Sequence, residues 1–264
     1  MLDRMKCFVL AGAFAACFGT AQAQHWENTG IPHGVLDTWM SCADTVHDAL
    51  YFGGAGYIYV DSFTYAPLFR FQDGQWDTLG YFGNANYIYT AVVYHDTLIV
   101  GGGFHTANGV AVQGVACYAD EAWHPYGAFG LGSEAIAIYE LRVIEGDLYA
   151  VGACSHSDGH LCNGVAKRVG GHWENVGDLS GLTTAPTLTD IAMYNGNIVV
   201  TGNNIHNTGE PLLSVMQFDG TSWGPMGAGI LGGVATGLAL TVYQGELYLG
   251  GEFFHSAGNA GQSV

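Results

Sequence analysis

Short apolar runs separated by pairs of polar residues recur along most of this chain of 264 residues. Residues 91–94 and 98–102 are examples, and such runs are too short for helices but long enough for strands. The intervening pairs are typical of tight antiparallel hairpins, with Asn-Gly the strongest signal. These pairs are His95-Asp96, Glu145-Gly146, Asn195-Gly196 and Gln244-Gly245, with a second set at Asp73-Gly74, Gly170-Gly171 and Asp219-Gly220. The pattern predicts an all-β protein.

Two markers repeat through the chain with nearly the same period. A tryptophan followed by a glycine four residues later recurs at spacings of 50, 47, 50 and 50, at Trp26, Trp76, Trp123, Trp173 and Trp223. A Leu or Ile run that ends in glycine recurs at spacings of 48, 50, 50 and 49, and its glycines are Gly53, Gly54, Gly101, Gly102, Gly152, Gly202, Gly250 and Gly251. Repeats of this length indicate an array of similar supersecondary units.

Each period holds four short strands, here named a to d, of which b ends in the glycine marker and d carries the tryptophan. A single four-stranded sheet cannot bury both of its faces, whereas stacked sheets bury the faces between them. We therefore expect a β-propeller of four-stranded antiparallel blades, with about five repeats of roughly 49 residues visible. The recurring tryptophans are expected to pack between blades as structural residues.

The diglycine, the aromatic residue and the tryptophan resemble a kelch-type β-propeller, as in Gly101-Gly102 with Tyr118 and Trp123. The resemblance covers residues 24–264 and extends to secreted bacterial propellers and to the ring of galactose oxidase. It implies a tight backbone approach at each diglycine. The third and fourth units depart from the pattern, because Ala153 and Asn203 stand in place of the second glycine, which leaves the approach open in these two units.

The first residues predict export. Arg4 and Lys6 precede an apolar run at residues 7–18, and Ala21-Gln22-Ala23 fits a small-x-small cleavage site. We expect residues 1–23 to be a signal peptide and 24–264 the propeller domain, which places the mature protein outside the cell or at its surface. The alternative at this end is a lipoprotein signal around Cys17. No later run has the length of a transmembrane segment.

The mature chain keeps four cysteines in an oxidising compartment, where an even number favours disulfides. Cys154 and Cys162 are close enough in sequence to close a loop, and we predict a disulfide between them. The alternatives are free thiols, or a metal site built from the two cysteines with His156 and His160. Spacing does not decide whether Cys42 and Cys117 pair.

Candidate ligand contacts lie in the connections between strands b and c. Four units carry a histidine there and the first carries a tyrosine, which gives the set Tyr57, His105, His156, His206 and His255. On one face of a propeller these side chains would form a ring around a glycan or another ligand. The competing interpretation is that each histidine satisfies a backbone carbonyl within its own unit, because a structural need recurs with each repeat.

Composition narrows the function. The formal net charge of −17 opposes binding to nucleic acid and to anionic lipid. No catalytic motif is present, and the copper ligands of galactose oxidase cannot be placed on this sequence, so we expect neither a cofactor nor a metal. The leading hypothesis is a secreted or surface binding scaffold for a glycan or protein. The alternative is a carbohydrate-active oxidase or lyase with its site on the loops joining strands b to c and d to a.

The end of the sequence suggests a longer protein. Val264 aligns with Val115, at the beginning of a strand c, so the fifth repeat is incomplete. Trp26 stands in a strand d with no strands a to c before it, and we expect it to complete the final blade. The number of blades is left open between five, six and seven. A surface-sorting domain downstream is an expectation of the resemblance.

Overall fold

The computed structural model describes residues 37–55, 58–60, 63–83, 87–130, 136–177, 187–203 and 214–256. These residues form strands and turns, with no helix among them. The predicted all-β class is confirmed. Trp26, the chain end and residues 24–36 lie outside the described ranges.

The strands fall into five consecutive units that match the sequence period. Unit 1 contains β1 (Asp37–Asp44), β2 (Ala49–Ala55), β3 (Ile58–Val60), β4 (Phe63–Gln72) and β5 (Gln75–Gly83). Unit 2 contains β6 (Tyr87–Tyr94), β7 (Thr97–Gly103), β8 (Thr106–Ala107), β9 (Val110–Ala111), β10 (Val115–Ala119) and β11 (Ala122–Pro125). Unit 3 contains β12 (Ala137–Ile144), β13 (Asp147–Ala153), β14 (His156–Ser157), β15 (His160–Leu161), β16 (Val165–Val169) and β17 (His172–Asn175).

The last two units are described less completely. Unit 4 contains β18 (Thr187–Tyr194), β19 (Asn197–Asn203), β20 (Val215–Phe218) and β21 (Trp223–Pro225). Then follow the short strand β22 (Ile230–Leu231) and unit 5, with β23 (Thr236–Tyr243), β24 (Glu246–Glu252) and β25 (His255–Ser256). Strands a and b of unit 5 are therefore described.

Antiparallel pairing follows chain order within each unit. Units 3 and 4 are separate four-stranded sheets, ordered β12-β13-β16-β17 and β18-β19-β20-β21. In unit 2 the order is β6-β7-β10-β11, and in unit 1 it is β1-β2-β4-β5. Units 1 and 2 differ from the expected separate sheets, because pairing of β2 with β6 at Ala55 and Tyr87, and of β5 with β8, joins them into one eleven-stranded sheet.

The hydrophobic core is divided into layers between consecutive units. One cluster combines Ile99 and Val115 of unit 2 with Leu141, Leu148 and Trp173 of unit 3. Corresponding clusters lie between units 1 and 2, units 3 and 4, and units 4 and 5. Each sheet is thus covered by its neighbours in sequence, as expected for units that cannot bury both faces alone.

The glycine at the end of each strand b permits a close approach to strand a. A Cβ added to Gly102 would lie 2.1 Å from the carbonyl oxygen of Tyr87, and one added to Gly152 would lie 1.9 Å from that of Ala137. A Cβ added to Gly202 or Gly251 would likewise clash with a carbonyl oxygen of strand a. The approach that the sequence left open in units 3 and 4 is therefore present: the constant glycine is Gly152 or Gly202, and the variable position precedes it.

The connections between strands b and c contain a small hairpin that the sequence interpretation missed. In unit 2, β8 and β9 flank Asn108-Gly109, and in unit 3, β14 and β15 flank Asp158-Gly159, with positive φ at all four turn residues. Asn-Gly and Asp-Gly are strong hairpin signals and were available in the sequence. β8 also pairs with β5 of the preceding unit, which links neighbouring units at this edge.

Candidate functional site

Every strand a carries a β-bulge at the same place. The pairing of strands a and b skips one residue in each unit, and the skipped residues are Trp39, Tyr89, Tyr139, Thr189 and Leu238. A bulge bends its strand and re-aims the side chain of the extra residue. The glycines at the end of strand b oppose these bulges, so the same sequence marker that defines the repeat also shapes this row of positions.

Tyrosines gather at the bulges of units 2 and 3. The rings of Tyr87 and Tyr89 are nearly parallel, with centroids 5.7 Å apart and an angle of 7° between their planes. Tyr89 and Tyr139, from neighbouring units, have centroids 4.7 Å apart at 43°. All three side chains are half-buried, so each ring is partly accessible. We call Tyr87, Tyr89 and Tyr139 the tyrosine row.

The phenols of Tyr89 and Tyr139 stay neutral well above physiological pH. Partial burial, followed by the proximity of Tyr139 and Tyr87, raises the pKa of Tyr89 to about 12. Burial also raises the pKa of Tyr139. These two residues therefore offer uncharged aromatic faces and hydroxyl groups that can donate or accept hydrogen bonds.

The tyrosine row breaks the symmetry of the repeat. The bulge recurs in all five units, but its residue is aromatic only in the first three, since Thr189 and Leu238 occupy it in units 4 and 5. The bulge therefore does not itself require an aromatic side chain. A feature confined to some units of a regular array is a better candidate for function than one that recurs in every unit.

A charged cluster lies further along the a strands. The Arg142 guanidinium bonds the carboxylates of Glu140 at 2.9 Å and Asp190 at 2.8 Å. It also donates to the carbonyls of Ile191 and Leu240, which belong to units 4 and 5. With its donors engaged in this way, Arg142 acts as a clamp between three strands and is not available to hold an anionic ligand.

Asp190 is the most buried member of the cluster. Its carboxylate accepts the backbone N–H of Leu240 in unit 5 at 2.6 Å and that of Ile191 at 2.7 Å. At the interface of units 2 and 3 Thr90 has a similar role, since its hydroxyl oxygen accepts the N–H of Leu141 at 3.0 Å. At Thr90 and Asp190 the position that follows the bulge thus couples neighbouring units, and the charges of unit 3 and unit 4 serve this coupling.

Ligand contact at the predicted histidines stays a prediction, and the structure places only three of the five residues. His105 and Ser155 hold the same place in their units, because their carbonyls accept the N–H of Val112 and of Cys162. His156 and His255 stand one position later. They correspond to Thr106, which pairs with a residue of the preceding unit. Successive side chains of a strand point to opposite faces, so His105 is not equivalent to the other two. Tyr57 and His206 lie outside the described residues.

The two cysteines of unit 3 are brought together as thiols. The sulfur atoms of Cys154 and Cys162 lie 3.6 Å apart in the buried layer between units 2 and 3, beyond the length of a covalent S–S bond. The hydrogen bond from Cys154 is the largest cause that lowers the pKa of Cys162. The predicted disulfide stays a prediction, with the pair close enough to form it. Cys42 and Cys117 also carry free thiols.

The alternative of a metal site in this loop receives no support. His156 hydrogen-bonds the hydroxyl of Ser155 through Nδ1, while His160 is exposed on the outer arm of the hairpin. Within the described ranges, no group of three His, Cys, Asp or Glu side chains is arranged to hold a metal ion.

The tyrosine row was not identified from the sequence. The signal was present, because Tyr89 and Tyr139 each stand nine residues before the Leu that begins the strand b marker. Trp39 was the tryptophan outside the repeat, and the structure places it at the equivalent bulge of unit 1. The bulge itself, which re-aims these residues, is a property of backbone pairing that the sequence pattern does not display.

Comparison with known proteins supports the fold alone. No family model matches the sequence, and no curated protein is similar to it. Among solved structures, the chain resembles the extracellular domain of a putative hybrid two-component system from B. thetaiotaomicron, with a TM-score of 0.51 and 14% sequence identity. The match covers 86% of this chain and 30% of that one, so the chain spans about a third of its length. Among the described residues, no helix is long and apolar enough to cross a membrane.

Proposed function

We propose that this protein is an exported β-propeller that acts as a binding module, with its ligand site on the tyrosine row. The observation that carries the proposal is the break in repeat symmetry: the same bulge occurs in five units, and half-buried tyrosines occupy it in adjacent units 2 and 3. Aromatic side chains with accessible faces are common in ligand sites because they combine apolar area with a polar tip.

Three features support the propeller interpretation. The units follow each other with near-constant period, their antiparallel strands pair in chain order, and each unit packs on its sequence neighbours through a separate apolar layer. In this interpretation the units are blades, strand a is the innermost strand, and the tyrosine row faces the central axis. The bulge would then place the row at the rim where strands a begin.

Two observations support export. The first 23 residues have the charge, apolar length and cleavage site of a signal peptide. The structural neighbour is described as an extracellular domain. Since fold alone does not define function, the role as a binding module depends on the row and not on this likeness.

Incubating the purified protein with arrays of glycans and of extracellular peptides tests the proposal. The double variant Tyr89→Ala/Tyr139→Ala removes the row, and Tyr243→Ala/Tyr248→Ala is the matched control, because that tyrosine pair is 61% and 52% exposed at unit 5. Ligands retained by the wild type and the control should be lost by the row variant. Equal retention by all three proteins would contradict the proposal.

The same samples separate binding from catalysis. Mass spectrometry of the retained ligands after incubation should show them unchanged for a binding module. Turnover of a sugar by the wild type, lost on mutation, would instead favour the carbohydrate-active enzyme that the sequence left as an alternative.

A further inference from the structure

We infer that the tyrosine row takes neutral sugar rings of an extracellular polysaccharide, an inference that rests on the row being the ligand site. The choice of this ligand class depends on the shape, charge and backbone pairing of the site.

The tyrosine row is a cluster of aromatic rings shared by two units. The rings of Tyr87 and Tyr89 stack with their planes only 7° apart, and the ring of Tyr139 in unit 3 lies against Tyr89 at a tilt of 43°. All three side chains are half-buried, so the cluster presents part of its aromatic surface to a ligand. The face of an aromatic ring carries partial negative charge, and the axial C–H groups of a pyranose carry partial positive charge. A sugar ring can therefore pack on an accessible tyrosine face.

The charges near the row disfavour an anionic sugar. The ionised side chains nearest along the inner strands are Glu140, Arg142 and Asp190. Two carboxylates outnumber one guanidinium, and the guanidinium is engaged with both of them and with two carbonyls. A uronate or sulfated sugar would meet net negative charge here with no free cation in the cluster to bind it. The formal charge of −17 over the whole chain acts in the same direction.

The backbone at the row disfavours a peptide that would pair with β12 as an added strand. A peptide could add as a strand to the free edge of β12, which is the first strand of its sheet. The bulge at Tyr139 interrupts the alternation of backbone donors and acceptors where the row lies. Bulges protect strand edges against such pairing. A sugar needs no regular backbone ladder, so the bulge that disfavours a peptide does not oppose a glycan.

Isothermal titration of the full chain tests the inference with three kinds of probe. These are neutral hexasaccharides of glucose, mannose, galactose and xylose; hexagalacturonate as the anionic counterpart; and any peptide retained on the arrays. At least one neutral probe should bind the wild type, with an affinity that changes less than about twofold between low and high salt because no charge is neutralised. Hexagalacturonate should bind at least about tenfold more weakly than its neutral counterpart of galactose.

The variants separate a ring contact from a general loss of structure. Tyr89→Ala should weaken binding at least about tenfold, as expected for an aromatic anchor. Tyr89→Phe keeps the ring and should stay within about threefold of the wild type. Tyr139→Leu keeps an apolar side chain but loses the aromatic face, and it should weaken binding as Tyr89→Ala does. Tyr243→Ala should match the wild type. Circular dichroism confirms that each variant is folded.

The outcomes are distinguishable. Tighter binding of hexagalacturonate than of the neutral probes would overturn the inference. Binding of peptides alone, lost in Tyr89→Ala, would overturn it while leaving the proposed function standing. Binding of a neutral probe with no effect of Tyr89→Ala or Tyr139→Leu would overturn both, as would the absence of any ligand among glycans and peptides.

Discussion

The indole N–H of Trp173 donates a hydrogen bond of 2.7 Å to the carbonyl of Tyr126, which belongs to the preceding unit. The same bond joins Trp123 to Leu79 at 3.1 Å and Trp223 to Val176 at 2.7 Å. Each acceptor directly precedes the glycine of the preceding unit's tryptophan marker. The two constant positions of this marker therefore meet across the interface and not within one unit.

Replacing Trp173 by alanine should strongly destabilise the protein. The side chain is buried against Phe129, and its removal leaves a cavity and an unpaired carbonyl. A loss of about 3–5 kcal/mol is expected, which lowers Tm by roughly 6–20 °C for a chain of this size. Thermal unfolding followed by circular dichroism gives the value. Trp76→Ala is the control with a half-exposed indole and should lower Tm less; equal shifts would contradict the interface account.

Gly127 accommodates the indole of Trp173, so Gly127→Ala should be costly. An added Cβ would lie 2.4 Å from Cδ1 of Trp173, and the residue has φ of +94°. The matched control is Gly146→Ala, where φ is +87° and no described atom lies within 4 Å. Backbone strain alone costs about 1 kcal/mol in both variants, and Gly127→Ala should cost distinctly more. Urea unfolding compares them; equal losses would mean that the indole does not occupy this space.

Asp190 should contribute more to stability than an exposed ion pair does. It is 2% exposed and bonds Arg142 together with two backbone N–H groups. Asp190→Ala removes one carboxylate partner of the Arg142 guanidinium in a buried environment. The free energy of unfolding is expected to fall by about 3–5 kcal/mol. The surface pair of Arg70 and Asp77 provides the control, since Asp77→Ala should cost about 0–1 kcal/mol. Urea midpoints that fall equally for both variants would contradict the clamp.

Asp44 makes stability depend on pH at the acid end. Burial opposes ionisation of this carboxylate, but hydrogen bonds from the backbone N–H groups of His47 and Val46 and from the His47 ring outweigh it and lower its pKa. The stabilisation is therefore complete above the unfolded pKa of about 4 and is lost as the pH falls through the lower folded value. Urea midpoints measured from pH 5 down to about 2 should fall less steeply for Asp44→Asn. An unchanged slope would refute the assignment.

The all-β class could be predicted from the sequence because turn pairs and short apolar runs are local signals. The indoles of Trp123, Trp173 and Trp223 each donate a hydrogen bond to the preceding unit. The histidine positions were misaligned by one residue, since the spacing between Gly102 and His105 differs from that between Gly152 and His156. In a strand, one residue reverses the face that a side chain occupies, so an alignment error of one residue changes which side chains are expected on the same face.

The tyrosine row required the structure. Tyr89 and Tyr139 are 50 residues apart in sequence, and their contact depends on how neighbouring sheets stack. The bulge that presents them lies beside a close approach of strands a and b, which the glycine of strand b permits and which no hydrophobic pattern reveals. Likewise, the clamp of Arg142 joins three units through backbone carbonyls that carry no sequence signature.

Hydroxyl-radical footprinting with and without a retained glycan tests the tyrosine row most directly, because it measures the solvent exposure of each ring by mass spectrometry. Oxidation of Tyr87, Tyr89 and Tyr139 should decrease when the glycan binds, while that of Tyr243 and Tyr248 should stay unchanged. Protection confined to Tyr243 and Tyr248, or to side chains far from the row, would contradict the account.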